Sequence, residues 1–100
     1  MAFTPNTETT LAVQAKVGKR IRALRRQRAW SQTAMAALCG IHVSHLSKIE
    51  RGGANLTLST LVAIATQLQI SLCDLFQDIP CFGLPEDPNG NVHARLAHHN

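Results

Sequence analysis

Aromatic side chains are scarce in this chain: they make up 4% of 100 residues, with one Trp and no Tyr. Sandwiches and barrels draw on aromatic and β-branched strands closed by frequent turn residues. With only six Gly and four Pro as well, an all-β fold is disfavoured. No apolar run approaches the ~18 residues that a membrane-spanning helix needs. The opening Met1-Ala2-Phe3-Thr4-Pro5-Asn6 lacks the basic and then apolar layout of a secretory leader. Cys39, Cys73 and Cys81 are odd in number and show no C-x-x-C spacing. That pattern predicts free thiols in a reducing, cytoplasmic compartment. No motif places a Ser/His/Asp or Cys/His set, a Gly-rich phosphate loop or a metal-ligand cluster, so neither an enzyme nor a cofactor is expected. Hydrophobic residues still reach 45%, enough for one globular core in a chain of about modal domain length.

Acids are missing where bases gather. Lys16, Lys19, Arg20, Arg22, Arg25, Arg26 and Arg28 follow one another with no Asp or Glu among them, and hold seven of the ten basic residues. Residues 1–77 carry a net +6 and residues 78–100 a net −2. A basic body with a slightly acidic tail points to a polyanionic partner, unless the run is only a solvated helix face.

Apolar periodicity predicts five helices. Residues 1–11, polar and Thr-rich with Pro5, read as a loose arm. Val13, Val17, Ile21 and Leu24 then make one stripe, predicting a first helix from about Ala12 to Arg28. Ser31 is placed to cap a second helix over Gln32–Cys39, and Gly40 to end it. A third runs from His42 or Val43 to Glu50, burying Leu46 and Ile49. Arg51-Gly52-Gly53-Ala54-Asn55 reads as a loop. Thr57 can cap a fourth helix with Leu58, Leu61, Ile64, Ala65 and Leu68 inward. A short fifth, about Ser71 to Phe76, offers Leu72, Leu75 and Phe76 to the core. Residues 12–77 thus form the expected domain. Residues 78–100, broken by Pro80, Pro85, Pro88, Gly83 and Gly90, form a tail for dimerisation or partner binding.

The second and third helices form one unit. So short a turn makes them cross steeply, and only a small side chain fits where the backbones meet. Ala36, four residues before Gly40, meets that need, and Gly40 supplies the left-handed turn. Met35, Ile41, Leu46 and Ile49 then face the other helices.

These residues, Ser31-Gln32, Ala36, Gly40-Ile41 and Leu46-Ser47-Lys48-Ile49-Glu50-Arg51-Gly52, resemble the helix-turn-helix of phage-repressor and Cro-type regulators, the XRE family. The likeness extends from about Val17 to Phe76 and includes Ile70-Ser71-Leu72-Cys73-Asp74-Leu75-Phe76 as a fifth helix. It implies an all-α, five-helix, lambda-repressor-like DNA-binding domain with a C-terminal extension. It also implies a sequence-specific regulator of transcription that binds double-stranded DNA, most often a repressor of its own operon.

By this resemblance the third helix enters the major groove and turns His42, Val43, Ser44, Ser47 and Lys48 to base edges. Gln32 would hold a phosphate and brace the recognition helix, with Arg51, Asn55 and Thr57 as further phosphate ligands. The family often pairs a first-helix Arg with the Glu near the end of the third helix, here Arg25 and Glu50. A palindrome is read by a homodimer, for which Leu75, Phe76, Ile79 and Phe82 are the apolar residues at hand. Two functions of other kinds fit the same fold: an antitoxin whose tail wraps a cognate toxin, and a restriction-modification controller.

Two departures stand out. The turn after the first helix, often Gly in the family, is Ala29-Trp30. His42 and His45 share a face of the third helix, but two His without Cys or carboxylate partners do not make a metal site. His93, His98 and His99 read as part of a free end. Cys81 is the cysteine expected to be exposed.

Overall fold

A computed structural model of the chain describes residues 7–77. It contains five helices: α1 (Thr7–Gln27), α2 (Gln32–Cys39), α3 (Val43–Glu50), α4 (Leu58–Leu68) and α5 (Leu72–Leu75). No strand occurs among the described residues. The helix order and type are those expected, with one shift. Residues 7–11, read as part of a loose arm, are the first turns of α1. They are polar, but contain no Pro or Gly to stop a helix, and Glu8 lies where the helix dipole favours an acid.

The core is aliphatic. Val17, Ile21, Met35, Leu46, Ile49, Ile64, Leu68 and Leu75 are fully enclosed, and Leu24, Ala36, Ala54, Leu61 and Ala65 complete the cluster. Trp30 packs partly buried against its edge, and the Arg28 guanidinium lies 5.9 Å from the ring centre. Leu58 departs from the expected inward stripe of α4 and is 68% exposed. It is the first residue after the Thr57 cap, before the helix has come over the core.

α1, the longest helix, packs against both α3 and α5; α2 packs on α3 and α4. Two arginines tie the far ends together. Arg20 donates to the Asp74 carbonyl and to Gln77 Oε1. Arg28 donates to the carbonyls of Leu24 and Leu68. Three of the seven clustered bases, Arg20, Arg25 and Arg28, are therefore spent on the fold.

Candidate nucleic-acid interface

The turn between α2 and α3 follows from two residue types. Gly40 sits at φ 71, ψ 30, and its N–H donates to the Ala37 carbonyl at 3.2 Å. The Ile41 N–H reaches the Ala36 carbonyl at 3.0 Å. This pair of bonds satisfies carbonyls that the helix end would orphan. Ala36 is buried, and Ile41 packs partly buried on the core. At the other end of α2, Ser31 Oγ accepts from the Ala34 N–H at 3.0 Å.

α3 is amphipathic across its width. Leu46 and Ile49 are buried. His42, Val43, Ser44 and Lys48 face outward, and His45 and Ser47 are half-buried. His42, Ser44, His45 and Lys48 line one shallow hollow on that outer face. Val43 is 44% exposed, so it is not consumed by packing against α2.

The back of α3 is pinned by a buried polar cluster. Arg25 Nε donates to Glu50 Oε2 at 2.7 Å and Nη2 to Oε1 at 3.0 Å. Arg25 Nη1 donates to the Trp30 carbonyl at 2.8 Å, joining the end of α1 to the same cluster. Gln32 Nε2 donates to Glu50 Oε1 at 3.0 Å. Burial pushes the Glu50 carboxyl up. The hydrogen bonds from Arg25 and Gln32, with the attraction of Arg25 and Arg22, outweigh it and hold the carboxyl below the usual carboxylate range. The hydrogen bonds to Glu50 and its charge raise the Arg25 guanidinium against the opposing effect of burial.

A further constraint comes from residues that the helical pattern did not single out. A Cβ on Gly18 would collide with the Ile49 carbonyl and come within 2.9 Å of that of Glu50. Gly52, at φ +79, brings the chain after α3 so close that a Cβ there would lie 2.8 Å from Ala15 Cα. α1 and the end of α3 thus meet backbone to backbone. A Gly inside a strong helical pattern, where it costs stability, was the one signal in the sequence.

The expected phosphate ligands divide. Arg51 is exposed at the end of α3. Asn55, also exposed, accepts from Gln14 Nε2 at 2.8 Å, tying the loop to α1. Thr57 caps α4: its Oγ1 accepts from the Thr60 N–H at 3.2 Å and the hydroxyl donates to Thr60 Oγ1 at 2.9 Å. Gln32 is committed first to Glu50, because a buried carboxylate competes strongly for an amide donor.

One expected dimer residue is corrected. Leu75, expected both in the core and at a dimer contact, is 0% exposed and belongs to the core of its own chain, because α5 turns it, with the partly buried Leu72, onto the aliphatic cluster. Phe76, at 37%, remains on the surface beside Val13, Leu56 and Leu61. Ile79, Phe82, Cys81, His93, His98, His99 and the whole tail 78–100 lie outside the described residues. Cys39 and Cys73 are free thiols, the first half-buried and the second exposed. No described helix is long and apolar enough to cross a membrane.

Residues 21–75 match the HTH_3 helix-turn-helix family. The match takes in more than half of the chain, and the chain belongs to this family of DNA-binding transcriptional regulators with a lambda-repressor-like fold. Over 68 residues it is 34% identical to the HTH-type transcriptional regulator DdrOP3 of Deinococcus deserti, a match covering 68% of this chain and 53% of that protein. Over 56 residues it is 41% identical to the immunity repressor protein of Bacillus phage phi105, covering 56% of this chain and 39% of the repressor. The chain thus spans about half, or less, of the length of these curated relatives. Among solved structures, the restriction-modification controller protein C.AhdI from Aeromonas hydrophila aligns with a TM-score of 0.62 at 36% identity, over 63% of this chain and 96% of that one.

Proposed function

We propose that this chain is a sequence-specific repressor that binds palindromic double-stranded DNA as a homodimer and controls its own operon. The observation that carries the reading is α3 itself: its inner face is buried and pinned through Glu50, while His42, Val43, Ser44 and Lys48 stand outward. A helix so held fits the width of the major groove. Lys48 suits a guanine edge or a phosphate, Val43 a thymine methyl, and Ser44 and Ser47 donate or accept with little selectivity. Gln32, Arg51, Asn55 and Thr57, at or near helix ends, are the proposed phosphate ligands; Gln32 also steadies Glu50. Phe76, with Ile79 and Phe82 beyond the described residues, is the proposed dimer contact.

Selection of bound sequences from random duplex, using the whole chain, tests the reading. The expected result is two inverted half-sites ~34 Å apart on one face of the duplex. Recovery of no common sequence would overturn it. A second reading, a restriction-modification controller, is favoured by the match to C.AhdI, which takes in 96% of that controller against 53% and 39% of the curated relatives. Under that reading the recovered operator lies ahead of genes for a DNA methyltransferase or endonuclease. An antitoxin role would show instead as co-purification with a toxin.

A further inference from the structure

We propose that Lys19, Arg22 and Arg26, on the outer face of α1, form a phosphate-binding strip that grips the DNA backbone beside the groove entered by α3. The proposal rests on the DNA-binding reading above and adds a surface that reading leaves unused.

The first ground is what these side chains do not do. Arg20, Arg25 and Arg28 are tied to Asp74, Glu50 and Leu68. Lys19, Arg22 and Arg26 are exposed, and their side chains make no hydrogen bond or ion pair among the described residues. With Ala23 they line one shallow surface hollow. Like charges three and four residues apart on a helix repel. No acid lies between Glu8 and Glu50 in the sequence, and the Glu50 carboxylate, which attracts Arg22, is already bound by Arg25 and Gln32. A cationic stripe so little relieved is costly to the chain alone and suited to an anion.

The second ground is position. Gly18, Arg22 and Arg26 stand one above another at four-residue steps on α1. Gly18 lies against the carbonyls of Ile49 and Glu50 at the end of α3. Arg22, the next in the row, is near enough to attract the Glu50 carboxylate. That carboxylate holds Gln32 in the first turn of α2. The strip therefore runs along the border where α1 meets the helix-turn-helix unit and leads, through Glu50, to Gln32, itself a proposed phosphate ligand. Ala23 between the cations leaves room for a phosphate group to approach. An acidic protein surface would match the charge but not this continuity.

The test compares the whole chain with its Lys19→Gln/Arg22→Gln/Arg26→Gln variant on two duplexes, one recovered by selection and one scrambled, between about 50 and 200 mM salt. The variant is expected to melt close to wild type, since it loses the mutual repulsion of the strip along with the attraction of Arg22 for Glu50. It should bind both duplexes more weakly by a similar factor. The wild-type advantage should shrink about three- to four-fold per side chain across that salt range, because each lost phosphate contact reduces the salt slope by about 0.9. Lys16→Gln, on a neighbouring side of α1, should change the slope much less. Unchanged affinity and slope in the triple variant overturn the proposal and leave the strip to an acidic protein. So does an equal effect of Lys16→Gln, which would mean general attraction rather than a strip. A wild-type chain that binds neither duplex overturns the DNA reading, and the proposal with it.

Discussion

Glu50 receives hydrogen bonds from two helices at once, Arg25 on α1 and Gln32 on α2, while it belongs to α3. Removing it strands the Arg25 charge in a site where that residue is only 8% exposed. Glu50→Ala should therefore lose about 3–5 kcal/mol, read as a lower denaturant midpoint. An unchanged melting temperature would remove the structural role assigned to the pair. The same carboxylate predicts a pH response. Its folded pKa lies below its unfolded one, so its contribution is full above the ordinary carboxylate range and is lost as pH falls through the lowered value. Melting temperatures measured from neutral to strongly acidic pH should fall more steeply for wild type than for Glu50→Gln. Gly18 presents an opposed case. By helix propensity, Gly18→Ala should gain up to ~1 kcal/mol. By packing, the new methyl meets the carbonyls of Ile49 and Glu50, and overpacking costs typically 1–3 kcal/mol, occasionally more. The packing effect wins because the obstacle is backbone, which cannot rotate away, and the variant should melt lower than wild type.

At the scale of elements, four helices end in the same way. After α1, α2, α3 and α4 a left-handed residue closes the turn: Ala29, Gly40, Gly52 and Gln69, with φ of 58, 71, 79 and 59. Each is followed by a residue whose N–H reaches back across the last turn: Trp30 to Arg25, Ile41 to Ala36, Gly53 to Lys48 and Ile70 to Ala65. Two of the four positions are Gly, and two carry a side chain that this conformation disfavours. Ala29→Gly should relieve that strain, less the extra freedom it gives the unfolded chain, for a net gain of no more than ~1 kcal/mol. Gly40→Ala should lose a similar amount, although open space surrounds the position, because its cost is conformational and not steric. Equilibrium unfolding of both variants checks the pair; equal and opposite signs are expected. This recurrence explains how much of the element order was legible. Ser31, Gly40, Thr57 and Ser71 mark helix limits by chemistry that acts within a few residues. Ala29 and Gln69 carry no such mark, and the misplaced start of α1 had none either. Periodicity alone points Leu58 inward, and periodicity cannot tell where a helix begins to cover its core.

The whole molecule joins a basic edge to an outward α3. If a dimer neutralises 6–10 phosphates, affinity should fall by about 10³–10⁵ between 50 and 200 mM salt. A flat salt dependence would contradict phosphate contact altogether. Lys48→Ala should relax preference at one base position, costing about 1–3 kcal/mol there and little elsewhere. With Leu75 absorbed by the core, Phe76 is the described residue left of those proposed for a dimer contact. Phe76→Ala should shift sedimentation from dimer towards monomer and weaken cooperative operator binding, with little effect on a single half-site.

The sequence by itself determined the helices, their caps and the helix-turn-helix unit, because these depend on periodicity, small residues and turn chemistry at short range. It also marked the outward residues of α3, since one face of an amphipathic helix implies the other. Only the tertiary structure decided that Arg20 and Arg28 serve the fold while Lys19, Arg22 and Arg26 face solvent: apart from Arg25, which the family resemblance pairs with Glu50, these bases look alike in sequence. It alone decided that Gln32 supports Glu50, that Leu75 is interior while Phe76, offered to the core with it, is exposed, and that Gly18 is required by a distant carbonyl. Each of these depends on which groups approach through space, and a charge or a methyl acquires its cost from that neighbour rather than from its place along the chain.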